Sequence, residues 1–284
     1  MLLRIVNKIN WYKRLLLTFL RIKRKYRVNG FTIQIDHTHR LPDYQKRNPF
    51  YDKFLPHLVK YLPDNSLVID VGANVGDTLV GMVGNNDKLE YLCVEASKEF
   101  FLDLQKNIEL LRAQKKDLCV YLVNEFVGKS INDVRLDGKG GTKNAVIGGG
   151  EIQSRTMTSI LKDLRIEQSR ISLLKTDVDG FDWDVIRSSY SIISHFPYIY
   201  FECMYENNQQ LISYKEMFNE LIEMGYSHFA FFDNFGQFIL STNQINTVLE
   251  LLEYIKRQNI FRSSRTFYYY DVLAYPVNKK EECK

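Results

Sequence analysis

The segment that most constrains the fold is an apolar run that ends in a carboxylate and a glycine-rich turn. It reads Leu67-Val68-Ile69-Asp70-Val71-Gly72-Ala73-Asn74-Val75-Gly76-Asp77-Thr78. A second apolar run, 91–94, ends at Glu95, nineteen residues after Gly76. Glycines allow a backbone to approach a ligand closely, and an acid after the second strand can accept hydrogen bonds from ribose hydroxyls. The two runs together therefore predict a sheet that binds a nucleoside.

Strand-like and helix-like segments alternate after this loop. Strands are predicted at 66–71, 90–95, 118–124, 171–177 and 198–203, and helices at 77–83, 98–113, 157–166, 182–194 and 210–224. This alternation is typical of an α/β protein with a mostly parallel, doubly wound, Rossmann-like sheet. Near the end, aromatic-rich strands at 227–232 and 266–274 flank a short strand at 238–240 and a helix at 244–259. They predict an antiparallel hairpin at one edge of the sheet.

Three regions follow from this pattern. Residues 1–62 are expected to be a basic extension, helical over 1–28 with a strand at 31–35. Residues 63–276 are expected to form the nucleoside-binding domain, and residues 277–284 a polar tail. The glycine-rich stretch 131–150 predicts a hairpin or a mobile loop. The composition, 45% hydrophobic and 25% charged, is ordinary for a soluble enzyme.

Charge is distributed unevenly along the chain. Residues 1–35 carry nine lysines and arginines and no acid, although the whole chain has a net charge of only +4. Such a helix could lie on an anionic membrane, or it could pack on the domain with its charges in water. No run is apolar and long enough to span a bilayer, and no nucleic-acid recognition motif occurs. The widely spaced cysteines suit a reducing compartment, so we expect a cytoplasmic protein, with attachment to the inner membrane face as a second hypothesis.

The first loop discriminates among nucleoside ligands. Its glycines and Asn74 have the spacing GxNxG, whereas a dinucleotide fingerprint is GxGxxG, and no phosphate-cradling GxxxxGK[ST] motif occurs. Asp70 precedes the loop and Asp77 follows it, so the loop is negative. A negative loop favours a cationic ligand over a pyrophosphate. S-adenosylmethionine (SAM), which carries a sulfonium and an ammonium, fits better than NAD.

Further acids follow the fourth and fifth predicted strands. Asp177 ends strand four, Asp179 follows it, and Glu202 lies at the end of strand five. Because ligands bind beyond the carboxyl ends of parallel strands, these acids should converge on one cleft. They are candidate proton acceptors, and as hard oxygen ligands they could instead hold a divalent cation. His37 and His39 are rival bases if the N-terminal segment folds over the cleft.

At this point the chain resembles the FkbM-type SAM-dependent methyltransferases. The resemblance covers about residues 60–235 and is carried by 68–78, Val94-Glu95-Ala96, 174–182 and Tyr200-Phe201-Glu202. The usual strand-four motif of that family is Lys-Ile-Asp-Val-Glu-Gly-x-Glu. This chain departs from that motif by having Asp179 and Asp182 in place of the two glutamates. These aspartates keep the negative charge, but each side chain is one methylene shorter.

The resemblance implies a class I methyltransferase fold and O-methylation, often of a sugar hydroxyl in bacterial polysaccharide or secondary-metabolite pathways. It implies SAM as cofactor and a small-molecule or glycoconjugate acceptor. No metal site is predicted, because no fixed ligand spacing requires one. The residues expected to contact the cofactor are Asp70, Gly72, Asn74, Gly76, Thr78, Glu95, Ala96, Asn124 (or its neighbour Glu125) and Asp177. The catalytic candidates are Asp177 first, then Asp179 and Glu202.

Two other functions compete with this one. A nucleotide-dependent oxidoreductase or nucleotide-sugar enzyme would use a related sheet, but the GxNxG spacing speaks against it. A non-catalytic, membrane-peripheral methyltransferase-like protein would dock through residues 1–28. The intact acids and glycines of the cleft argue against such a loss of activity.

Overall fold

The computed structural model describes residues 2–138, 144–261 and 267–276. The α-helices in these ranges are α1 Leu2–Phe19, α2 Leu41–Arg47, α3 Phe54–Leu58, α4 Asp77–Val83, α5 Lys98–Gln114, α6 Met157–Leu164, α7 Asp182–Ser188, α8 Tyr190–Ile193, α9 Asn208–Glu223 and α10 Ile245–Phe261. The strands are β1 Lys23–Val28, β2 Phe31–Asp36, β3 Leu67–Val71, β4 Glu90–Val94, β5 Val120–Val123, β6 Phe126–Val127, β7 Val134–Asp137, β8 Asn144–Ile147, β9 Ser154–Arg155, β10 Ile171–Thr176, β11 Tyr198–Cys203, β12 His228–Asp233, β13 Phe238–Thr242 and β14 Tyr270–Tyr275.

The main sheet has eight strands in the order β13-β12-β14-β11-β10-β3-β4-β5. Within this order, the neighbouring strands β11, β10, β3, β4 and β5 pair in parallel. Strand β14 pairs antiparallel with both β11 and β12. The α/β class, the mostly parallel sheet and the antiparallel C-terminal hairpin are thus confirmed. The hairpin is β12–β13 at the edge, while β14 lies between β12 and β11.

Both faces of the sheet are covered, which explains why its central strands read as continuous apolar runs. All five residues of β3 are buried. Leu67, Ile69 and Val71 pack into one hydrophobic cluster with α6, α7 and α9, whereas Val68 packs into a second cluster with α4 and α5. Successive side chains of a strand point to opposite faces, so one strand supplies both cores.

The N-terminal extension folds onto the domain that follows it. Ile33 and Ile35 of β2 are fully buried in the same cluster as the residues of α5. The Asn107 side chain of α5 accepts a hydrogen bond from the Gln34 amide at 2.8 Å and donates one to the Gln34 carbonyl at 2.9 Å. These two bonds attach β2 to α5 of the sheet domain.

The prediction of a helix over 1–28 is wrong beyond Phe19. Residues Lys23–Val28 form β1, which pairs antiparallel with β2. The Lys23 ammonium, 2.9 Å from the Asp36 carboxylate and also paired with Asp103, ties the strand down. No helix in the described ranges is long and apolar enough to cross a membrane.

The glycine-rich stretch forms the predicted hairpin, since β7 and β8 pair antiparallel. The tip of this hairpin, 139–143, lies outside the described residues. The predicted tail 277–284 also lies outside them, and so does residue 266, the first residue of the strand predicted at 266–274. The described part of that last strand is β14.

Candidate active site

The centre of the site is an ion pair buried beneath the first loop. Asp70 of β3 and Lys175 of β10 occupy neighbouring positions in the parallel register. The Lys175 Nζ lies 2.8 Å from Asp70 Oδ1 and 3.7 Å from Asp177 Oδ2, and it donates a hydrogen bond to the Gly72 carbonyl at 3.3 Å. Burial opposes the charge of Lys175, but the carboxylates of Asp70 and Asp177 more than offset it and raise its pKa.

Gly72 makes the two loops of the site touch. It has φ +77°, and a Cβ at this position would lie 2.0 Å from the Asp177 carbonyl oxygen. The Asp177 amide in turn donates to the Val71 carbonyl at 3.1 Å. The backbone after β10 therefore lies directly against the glycine loop, and Asp177 is held at its edge with 51% of its side chain exposed.

Glu95 closes the crevice on the side of β4. The Glu95 Oε2 accepts a hydrogen bond from the backbone N–H of Asn74 at 2.8 Å, and its Oε1 accepts one from the backbone N–H of Ser97 at 2.7 Å. The Asn124 side chain braces the same turn by donating to the carbonyls of Glu95 at 2.7 Å and Ala96 at 3.2 Å. Each carboxylate oxygen can accept a second bond, so Glu95 retains capacity for a diol.

The remaining loop residues shape the start of α4. Gly76 precedes the helix with φ +86°, and a Cβ there would lie 2.8 Å from a Leu104 methyl. Asn74 also adopts a left-handed conformation, with φ +48°. Thr78, half-buried in the first turn of α4, lines the neighbouring pocket.

The acids after β10 divide into two kinds. Asp182 is fully buried and structural: its carboxylate accepts from the Thr176 hydroxyl at 3.0 Å and the Val178 amide at 3.3 Å. Burial and the nearby Asp177 raise the pKa of Asp182 to about 8. Asp179 is half-buried with φ +51°, and burial together with Asp177 raises its pKa to about 7.

A pocket opens beside the crevice, between β10, β11, β14 and the segment 50–56. Its polar lining is dominated by carboxylates and phenols, with two lysines, Lys53 and Lys175. The acids and tyrosines are Asp52, Asp77, Asp177, Glu202, Asp271, Tyr51, Tyr200 and Tyr269. We call this the acidic pocket. Glu202 and Asp271 occupy paired positions on β11 and β14, and Tyr200 precedes Glu202 by two residues on the same strand and also lines the pocket.

Glu202 lies deep in the acidic pocket. It is buried, and its Oε2 has no hydrogen-bond partner among the described residues. Burial raises the pKa of Glu202 well above its usual range, and the charges of Asp177 and Asp179 raise it further. The raised pKa favours the protonated form of Glu202, which can donate a hydrogen bond.

The N-terminal extension forms one wall of this pocket. Gly236, in the β12–β13 turn, packs so closely on the extension that a Cβ would lie 2.4 Å from the Phe50 carbonyl oxygen. The Tyr26 hydroxyl donates to Gln45 at 2.7 Å, which orients another lining residue. Residues of the N-terminal extension therefore do lie over the cleft, which was the condition for His37 and His39 to act as rival bases.

His39, one of the two histidines, lies behind the lining residue Asp77. Its Nδ1 accepts a hydrogen bond from the Leu41 amide at 3.3 Å, and its Nε2 lies 3.9 Å from Asp77 Oδ2. The ring is buried. The imidazole lies near Asp77 but does not line the pocket, whose lining includes neither histidine.

Sequence reasoning missed several lining residues. Lys175 is part of the strand-four motif named above, but it was assigned no role from the sequence. Its pairing with Asp70 could have been inferred because the two residues lie on neighbouring strands. Tyr51, Asp52 and Asp271 carry no motif, because they come from the extension and from β14. Within the described ranges, no group of three or more histidines, cysteines and acids has the arrangement of a metal site.

The arrangement fits a sulfonium nucleoside. The two loop glycines let the loop pack against the backbone after β10 and against α5, and Glu95 beside the loop can accept hydrogen bonds from a ribose. The negative charge around Asp177 complements a cation, and no cluster of cations that would suit a pyrophosphate lines the acidic pocket.

Comparison with known proteins agrees with this reading. Residues 70–228 match the methyltransferase FkbM domain, which is more than half of the 284 residues. Among proteins with curated descriptions, none matches the sequence.

Several solved structures are similar in outline. An FkbM methyltransferase from Methylobacillus flagellatus KT is 14% identical, with a TM-score of 0.42 over 66% of this chain and 54% of that one. A SAM-dependent methyltransferase from Agrobacterium tumefaciens is 9% identical, with a TM-score of 0.48 over 90% and 70%. A precorrin-6y C5,15-methyltransferase from Geobacter metallireducens GS-15 is 12% identical, with a TM-score of 0.41 over 79% and 87%. The assignment rests on the domain match, by which this chain belongs to the FkbM family of SAM-dependent methyltransferases.

Proposed function

We propose that this enzyme transfers the methyl group of SAM to a hydroxyl of a sugar, in a glycoconjugate or polysaccharide precursor. The observation that carries the proposal is the position of Asp177. Its exposed carboxylate stands between the glycine-loop crevice and the acidic pocket, beside the buried ammonium of Lys175. A base at that border can reach an acceptor oxygen on one side while the cofactor occupies the other.

The residues that would hold SAM line the crevice. Glu95 would accept hydrogen bonds from the ribose hydroxyls, next to Ala96 and the bracing side chain of Asn124. Gly72, Asn74, Gly76 and Thr78 would border the methionine portion. Asp70 is fully buried against Lys175, so its part would be to hold that lysine, and through it the loop, in position.

When bound, SAM supplies an electrophilic methyl group. The chain must align an acceptor oxygen about 3 Å from that carbon and accept its proton as the bond forms. Asp177 is our candidate for the proton acceptor. Asp179, whose pKa is about 7, would add negative charge near the cofactor cation in its ionised form, and the protonated form of Glu202 would donate a hydrogen bond that orients the acceptor.

The chemistry of the acidic pocket supports a polyhydroxylated acceptor. Carboxylates and phenols such as Glu202, Asp271 and Tyr269 provide the directional donors and acceptors that adjacent hydroxyls need. Aromatic rings at the same wall can cover the apolar face of a sugar ring. An anionic acceptor would be repelled by those acids of the lining that are ionised.

Replacing Glu95 with alanine should weaken SAM binding by about 1–3 kcal/mol, because charged hydrogen bonds to the ribose would be lost. Isothermal titration calorimetry with SAM, S-adenosylhomocysteine and NAD measures this. We expect the wild-type enzyme to bind the first two and not NAD.

The matched control is Glu250→Ala, which removes an exposed glutamate from α10, far along the chain from the crevice. It should leave SAM affinity unchanged. Equal affinities for the wild-type and Glu95→Ala proteins would refute the ribose assignment, and tight NAD binding would favour the oxidoreductase alternative.

A further inference from the structure

Helix α1 turns its apolar face away from the rest of the protein. With about 100° per residue, positions 9, 12, 16 and 19 share one face of a helix. These residues are Ile9, Tyr12, Leu16 and Phe19, and all four are exposed, Leu16 by 57% and Phe19 by 82%. A helix that packed on its own domain would bury this face.

The opposite side of α1 contacts the domain through polar groups. The Arg14 guanidinium lies 2.8 Å from the Asp43 carboxylate of α2, and the Thr18 and Thr38 hydroxyls are 3.4 Å apart. Leu17 and Thr18, on this side, are half-buried. The helix is therefore held with its polar side inward and its apolar side outward, the reverse of the usual orientation.

Cations border the exposed apolar face. Lys8 and Lys13 flank it on its two sides, and Arg21, Lys25 and Arg27 continue the positive surface into β1; all five are exposed. None of the five has an ion-pair partner among the residues that the structure describes. Residues 1–35 contain no acid that could neutralise them.

We propose that α1 docks on an anionic lipid membrane surface, with Ile9, Tyr12, Leu16 and Phe19 inserted among the acyl chains. The flanking lysines would reach the headgroup phosphates, as basic residues do beside an apolar stripe. Each cation near an anionic surface adds to the attraction, and the effect weakens with salt. A second copy of the chain is a poorer occupant of this face, because pairing two such helices would bring like charges together.

Docking in this way would also orient the active site. Asp43, the partner of Arg14, lies on α2, and Gln45 of the same helix lines the acidic pocket. Helix α1 is thus connected to a wall of the pocket by one ion pair and two residues of α2. A pocket held near the bilayer suits an acceptor that is carried on a lipid.

The test is flotation of the full-length enzyme, without SAM, on vesicles of two compositions. One is pure phosphatidylcholine, and in the other about a third of the lipid is phosphatidylglycerol. We expect binding to the anionic vesicles only, reduced by high salt. The double variant Leu16→Ser/Phe19→Ser should lower the partition coefficient by about tenfold or more, since two large apolar side chains no longer insert.

The matched control is Leu102→Ser/Ile212→Ser, which removes two exposed apolar side chains from α5 and α9. It should bind like the wild-type protein. Equal loss in both variants, or no binding of the wild-type protein to anionic vesicles, would overturn the proposal. So would a wild-type dimer in analytical ultracentrifugation that the Leu16→Ser/Phe19→Ser variant abolishes, since the face would then pair with itself. None of these outcomes depends on the methyl acceptor.

Discussion

Replacing Asp177 with asparagine should lower kcat by about 10²- to 10⁴-fold, the usual contribution of a general base, and should lower SAM affinity far less. The asparagine is isosteric and keeps the backbone contact with the Val71 carbonyl, so the glycine loop should stay in position. What disappears is a carboxylate that can accept the hydroxyl proton.

The measurement is transfer of a tritium-labelled methyl group from SAM to a panel of free sugars, glycosides and nucleotide sugars. Asp117→Asn, an exposed aspartate before β5, is the matched control and should retain full activity. An Asp177→Asn enzyme as fast as the wild type would remove Asp177 from the mechanism and turn attention to Asp179. A loss of SAM binding in this variant would instead assign Asp177 to the cofactor alone.

Replacing Lys175 with methionine should destabilise the protein by about 3–5 kcal/mol, because it leaves the carboxylate of Asp70 buried without its counter-charge. Both side chains are almost inaccessible to solvent, with exposures of 4% and 0%. Urea denaturation followed by circular dichroism measures the free energy of unfolding.

Two comparisons make this result specific. Lys88→Met breaks an exposed pair with Asp64 and should change stability very little. The double variant Lys175→Met/Asp70→Asn should recover part of the loss, since it removes both charges together. If Lys175→Met were as stable as the wild-type protein, the buried pair would not be an important element of the site.

The sheet was predictable because its central strands are buried on both faces. Runs such as those of β3 and β4 can only be interior strands, and their boundaries were correct to within one residue. β1 was not predictable in the same way. Its sequence, Lys-Arg-Lys-Tyr-Arg-Val, follows a helix without a breaking residue, and the strand is held by β2 and by the ion pair with Asp103, which is distant in sequence.

The candidate site likewise has a part that was predictable from the sequence and a part that was not. Asp70, Glu95 and Asp177 follow strands in a recognisable motif, and the structure brings all three to one edge of the sheet. The acidic pocket was only partly foreseen, because Tyr51 and Asp52 reach it through the packing of the extension on Gly236. Contacts of that kind depend on tertiary packing and leave no local pattern.

The most direct test is a crystal structure with S-adenosylhomocysteine bound. We predict that the ribose hydroxyls contact the Glu95 carboxylate and that the sulfur faces Asp177 and the acidic pocket. The account would be contradicted if the ligand bound outside the crevice formed by the loop 70–78 and Glu95, or if its sulfur faced away from Asp177.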